Sequence, residues 1–190
     1  MDRDGSIITA IRQKDLGAIE SLFFKRNLSD IEASFKTETE LWDYKLKCPS
    51  VASPTLEWAE ISKDVLAFHN TGKGGVILFG IDDKSYEIVG LGKDELLDSK
   101  IFNDKIRKYV GDTLWIDYYT ISNLDKSLTI AVIIIPPLND NSSIKRFKKM
   151  VLKNERDYCF LKTGAPLEGL IPVLYFRLQK QRRWNSSGPP

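Results

Sequence analysis

The chain has 190 residues, 42% of them hydrophobic and 28% charged, with a net charge of +2. That balance suits one globular domain with a sizeable core, and it excludes a protein drawn to nucleic acid by overall charge alone. Cys48 and Cys159 match neither a disulfide framework nor a CxxC ligand pair, no apolar run approaches the roughly 20 residues of a membrane span, and no signal-peptide pattern opens the chain, so a reduced cytoplasmic protein without a membrane segment is expected.

Residues 6–35 read as a small helical unit. Ile7, Ile8 and Ile11 share one helical face, and Leu16, Ile19, Leu22 and Phe23 share another after Asp15. Ser29-Asp30-Ile31-Glu32 has capping-box spacing, which predicts a further short helix. These helices lack the basic residues of a base-reading helix, so they are taken as an extension packed on the main domain. Leu41 to Leu46 alternates as a strand, and Cys48 to Thr55, with Pro49 and Pro54, is a loop. From Leu56 a helix places Trp58, Ile61, Val65 and Phe68 on one face and ends at Asn70-Thr71-Gly72.

Val76 to Ile81 is almost wholly apolar, as a central strand buried on both faces would be. Asp82 to Ser85 turns it into a second strand, Tyr86 to Val89. A helix over Asp94–Val110 would turn Leu97, Ile101 and Ile106 inward. Strands follow at Trp115–Ile121 and Leu128–Ile135, joined near Asn123-Leu124-Asp125, the second stopped by Pro136-Pro137. A hairpin over 151–163 and a final helix over 167–184 complete the pattern. The reading is an α+β fold with a mixed sheet flanked by helices: an N-terminal helical extension over 1–35, the main domain over 36–184, and a disordered tail over 185–190.

Gly72-Lys73-Gly74-Gly75 lies between a helix and a strand, the reverse of a Walker A loop, and it also lacks the GxGxxG order. Its first reading is tight helix–strand packing, and its second a contact of Lys73 with phosphate. His69, at the helix end, is read as a packing or capping residue. Glu38 and Asp43 bracket the start of one strand, and Asp82 and Asp83 follow another. Neighbouring strands would gather two or three of these carboxylates as hard oxygen ligands for Mg²⁺ or Mn²⁺, with Glu38, Asp43 and Asp82 as the metal set. Lys45, on the same strand face as Asp43, would stabilise charge developing on a phosphoryl group. Lys145, Arg146, Lys148, Lys149, Lys153 and Arg156 set six cations against one acid, Glu155, and Arg177, Lys180, Arg182 and Arg183 form a second basic cluster. With Phe147, Tyr158 and Trp184 interleaved, these clusters favour nucleic acid over a small-molecule partner.

The same residues resemble the Schlafen-type AlbA_2 domain family over roughly residues 36–166. The matching pieces are Glu38–Lys45, Ala67-Phe68-His69-Asn70-Thr71 with Gly74-Gly75, Phe79-Gly80-Ile81-Asp82-Asp83 with Ile88-Val89-Gly90-Leu91, and Tyr158 to Gly164. The resemblance implies a nucleic-acid-binding module. In some members two glutamates and an aspartate cut structured RNA, notably tRNA, with a divalent metal. Glu38 and Asp43 resemble the two glutamates, and Asp82 or Asp83 the aspartate. Two departures stand out: Asp43 replaces a glutamate, and the glycine turn carries one extra residue. Paired lobes in eukaryotic members imply a homodimer for this single lobe. The alternatives are a non-catalytic DNA- or RNA-binding module, in defence or transcriptional control, and an assembly domain.

Overall fold

The apolar run after the glycine turn becomes the middle of a sheet. The computed structural model describes residues 2–123, 127–139 and 144–145. Its four strands are β1 (Trp42–Lys45), β2 (Gly75–Phe79), β3 (Asp117–Asn123) and β4 (Leu128–Ile135), in the order β1-β2-β4-β3. β1 and β2 run parallel, with Trp42 opposite Val76 and Lys45 opposite Phe79. β4 is antiparallel to both β2 and β3, so the sheet is mixed. Every residue of β2 is buried, as its near-continuous apolar sequence requires.

The parallel β1–β2 pair needs a crossover, which α3 (Thr55–Asn70) supplies. α3 and α4 (Ser99–Val110) pack on one sheet face, where Trp58, Val65, Phe68, Phe102 and Ile106 meet Ile77, Phe79 and Ile133. α1 (Arg3–Gln13) and α2 (Leu16–Phe23) cover the other face, where Ile7, Ile11, Ile19 and Phe23 meet Trp42, Tyr44, Val76 and Val132. Burying each such aliphatic or Phe side chain contributes about 1.5–3 kcal/mol. The N-terminal helices thus share a core with the sheet: Phe23 meets Trp42 edge-on, ring centroids 5.6 Å apart. Lys14, at the end of α1, forms an ion pair with Asp117 of β3 at 2.8 Å.

Several sequence expectations are corrected. The capping box at Ser29–Glu32 starts no α-helix; 3₁₀ turns lie at Arg26–Leu28 and Ala33–Phe35 instead. Fully buried Ile31 bridges Phe24, and Asp30 is taken up by Lys25 and Lys36. The strand expected over Tyr86–Val89 reduces to one bridge, Ile81 with Ile88, because Tyr86 adopts φ +58°. The helix expected from Asp94 begins at Ser99, where the Asp98 carboxylate accepts from the Lys100 N–H at 2.8 Å. Phe102 takes the buried position expected of Ile101, which is 41% exposed. Trp115 lies outside β3 and is exposed, with the Arg107 guanidinium 4.8 Å from its ring centre. The turn near Asn123-Leu124-Asp125 falls partly, and the hairpin, final helix and tail fall wholly, outside the described residues.

Candidate functional site

Alternation along β1 decides which side chains reach which layer. Trp42 and Tyr44 enter the N-terminal core. Asp43 and Lys45 take the opposite face, toward α3. Asp43 is buried, and its Oδ2 accepts from the Lys45 ammonium at 2.6 Å. Lys45 also pairs with Asp64 of α3, at 3.2 Å. Glu38 lies in the loop before β1, and its Oε1 accepts from the Tyr44 N–H at 3.3 Å. There its carboxyl meets that of Asp43.

Two carboxyls in contact cannot both ionise cheaply. Burial of its end, the hydrogen bond shared with Asp43, and the Asp43 charge push Glu38 up to about 8. The Tyr44 N–H and the Lys45 charge oppose the rise without cancelling it. Burial works against the Lys45 charge, but Asp64 and Asp43 more than offset it and hold the ammonium above its ordinary range. The cluster sets a Glu38 carboxyl held above its ordinary range beside buried Asp43 and a lysine shared by two aspartates.

β1 and β2 are neighbours, as the acidic set needs, and the Lys45 carbonyl accepts from the Gly80 N–H at 2.8 Å. Asp82 lies just beyond, after Gly80 redirects the chain at φ +91°. Its Oδ1 accepts from the N–H groups of Lys84 (2.9 Å) and Ser85 (2.8 Å) and from the Ser85 hydroxyl (3.1 Å). The Ser85 and Lys84 N–H groups lead in holding this carboxyl below its ordinary range. Asp83 is exposed. Among the described residues, no three His, Cys, Asp or Glu side chains are grouped to hold a metal ion. The Tyr86 phenol, edge-on to Tyr44 at 5.7 Å, feels both the Glu38 and the Asp83 charge. It links the acid pair to the turn.

The glycine turn is shaped by packing. A Cβ on Gly74 would lie 2.5 Å from the Ile135 carbonyl oxygen, and one on Gly75 2.0 Å from the Phe68 ring. Lys73 forms an ion pair with Glu40. His69 is buried, and its Nδ1–H donates to the Pro136 carbonyl at 2.7 Å. Burial leads in lowering its affinity for a proton, as a packing role requires. Lys145 reaches the Thr113 hydroxyl at 3.0 Å, and its backbone is bracketed by Asn70. Arg146, Lys148, Lys149, Lys153, Arg156, Arg177, Lys180, Arg182 and Arg183 lie outside the described residues.

Sequence reading missed Asp64 and Tyr86. Asp64 carried a signal: it stands three residues after Ile61 and four before Phe68, on the border of an apolar stripe. Tyr86 carried none, since its position depends on a turn with positive φ.

A family model described as Schlafen, AlbA_2 matches residues 38–164. No curated protein matches. Among solved structures, the chain is similar to the crystal structure of the DIP2311 protein from Corynebacterium diphtheriae. The identity is 15% and the TM-score 0.48, covering 76% of this chain and 27% of that one. This chain therefore spans about a quarter of that protein's length. Among the described residues, no helix is long and apolar enough to cross a membrane.

Proposed function

We propose, from the premise that this chain belongs to the Schlafen, AlbA_2 family, that it binds nucleic acid and cuts structured RNA such as tRNA with a divalent cation. The observation that carries the reading is the acidic cluster at β1, with Glu38 beside buried Asp43 and Asp43 paired with Lys45 at 2.6 Å. Such a cluster suits a hard divalent cation, because Mg²⁺ commonly takes one or two carboxylates and fills its remaining positions with water and substrate phosphate. Glu38 and Asp43 would hold it. When bound, Mg²⁺ or Mn²⁺ orients and polarises a phosphodiester and lowers the pKa of an attacking water.

The chain's own residues supply the rest. To hold the cation, Glu38 would release its proton to solvent and act as a ligand beside Asp43. Lys45, 2.6 Å from Asp43, offers a positive charge where a phosphoryl group gains negative charge. Asp82 or Asp83 supplies a third carboxylate from the turn after β2, and single alanine variants decide between them. Lys73 and Lys145, with Arg146, Lys148, Lys149, Lys153, Arg156, Arg182 and Arg183, grip the backbone. Two copies pair as a homodimer, which light scattering tests directly. The deciding experiment is incubation of a total tRNA pool with Mn²⁺, Mg²⁺ or EDTA. Metal-dependent fragments that disappear in Glu38→Ala and Asp43→Ala support the reading, and intact tRNA under every condition refutes cleavage.

A second reading is a binding module without catalysis. It is favoured by the engagement of Lys45 with two aspartates and of Asp82 with its own turn. Retarded but uncut tRNA, with or without metal, would support it.

A further inference from the structure

Lys45 has a four-carbon stem on an edge strand, yet its ammonium has two anchors from different elements. Asp43 stands two residues away on β1, at 2.6 Å, and Asp64 stands on α3, at 3.2 Å. The two anchors differ in what else is asked of them. Under the proposed function Asp43 is the group that turns to a cation. A carboxylate that turns to another cation offers less charge to Lys45. Asp64 also pairs with Lys63, at 3.3 Å. It is set on a helix fixed on either side by Ile61 and fully buried Val65, so its backbone is held against the core.

We propose that Asp64 is a positioning residue, anchoring the Lys45 ammonium from α3 so that this charge stays in place when Asp43 is engaged elsewhere. The anchoring stands on its own geometry; its value for catalysis rests on the function proposed above. A lysine held only by Asp43 would lose its orientation at the moment Asp43 changed partner. A long side chain with rotatable donors has no fork geometry to hold it otherwise.

The test follows the Lys45 ammonium by NMR of ¹⁵N-lysine-labelled full chain, with its signal identified by loss in Lys45→Arg. We expect the signal to remain restrained in Asp43→Asn, to loosen in Asp64→Asn, and to move freely in the double variant. Asp64→Glu should restore restraint. Loss of restraint in Asp43→Asn alone, or relaxation unchanged in Asp64→Asn, would overturn the anchoring. Asp64 is partly exposed, so the single variant should fold, and a thermal melt checks this. On tRNA, Asp64→Asn should lower kcat by about tenfold at unchanged KM, the loss typical of a group that orients another, and Asp64→Glu should recover part of it. An unchanged kcat would overturn the catalytic value of the anchor. A wild type that cuts no RNA would instead refute the nuclease reading, leaving the ammonium signal to judge Asp64.

Discussion

Asp43 on β1 and Asp82 in the turn after its parallel neighbour β2 lead opposite lives. Asp43 is buried on β1 against Glu38 and Lys45, in a cluster with more acid than one lysine can balance. Asp82 follows β2 at the surface, where N–H groups of its own turn meet it. One environment raises the pKa of the acid beside it, and the other lowers that of its own carboxyl. Two aspartates a few residues from the same strand pair are therefore not interchangeable: the first sits buried beside Glu38 and Lys45, and the second accepts from the N–H groups of its own turn.

The largest expected effect that would break this contrast is on cleavage. Lys45→Ala should lower metal-dependent tRNA cleavage by about 100-fold or more, with Glu38→Ala and Asp43→Ala falling to the metal-free level. Equal losses in all variants of the Asp82-Asp83 turn would place the turn inside the reacting centre. Next comes cation uptake, read by calorimetry. Because a proton must leave the Glu38–Asp43 pair, Mn²⁺ should bind more tightly as pH rises toward about 8, by up to about tenfold per pH unit. Glu38→Gln should flatten that dependence.

A smaller effect appears in stability against pH. The Glu38 carboxyl has a folded value above its unfolded one, so its protonated form favours folding. That contribution is full below the ordinary carboxyl range and is lost as pH rises through about 8. Asp82 runs the other way: its folded value is depressed, so its contribution is present at neutral pH and is lost on acidification through the folded value. Urea titrations across a pH series should show the first slope vanish in Glu38→Gln and persist in Asp82→Asn. The smallest effect is local. Asp82→Ala should lower the melting temperature more than Asp82→Asn, since an asparagine oxygen can still accept from Lys84 and Ser85.

What was legible in the sequence was periodic. The apolar run Val76–Ile81, broken only by Gly80, read as a buried strand, of which Gly75–Phe79 forms β2, and alternation placed Asp43 and Lys45 on one face, where they form an ion pair. Trp58, Ile61, Val65 and Phe68 marked the buried face of α3 correctly. Pairings across elements were not legible. Asp64 meets Lys45 only because α3 crosses back over β1, and no local pattern encodes that crossing. Local signals also lost to burial: the Ser29–Glu32 capping box gave way to the bridge between Ile31 and Phe24, and Phe102 displaced Ile101 from the core. The Tyr86 turn needed a backbone angle that no side-chain pattern announces.

Asn70, at the last position of α3, makes a pair of contacts whose effect reaches past the helix. Its amide donates to the Lys145 carbonyl at 2.9 Å and accepts from the Lys145 N–H at the same distance, as a partner strand would. Lys145 is the first cation of the run that continues with Arg146, Lys148 and Lys149. The run thus has a moored origin, tied to the same helix end that opens into the glycine turn. Asn70→Ala would remove both of these hydrogen bonds to Lys145 while leaving every cation in the sequence.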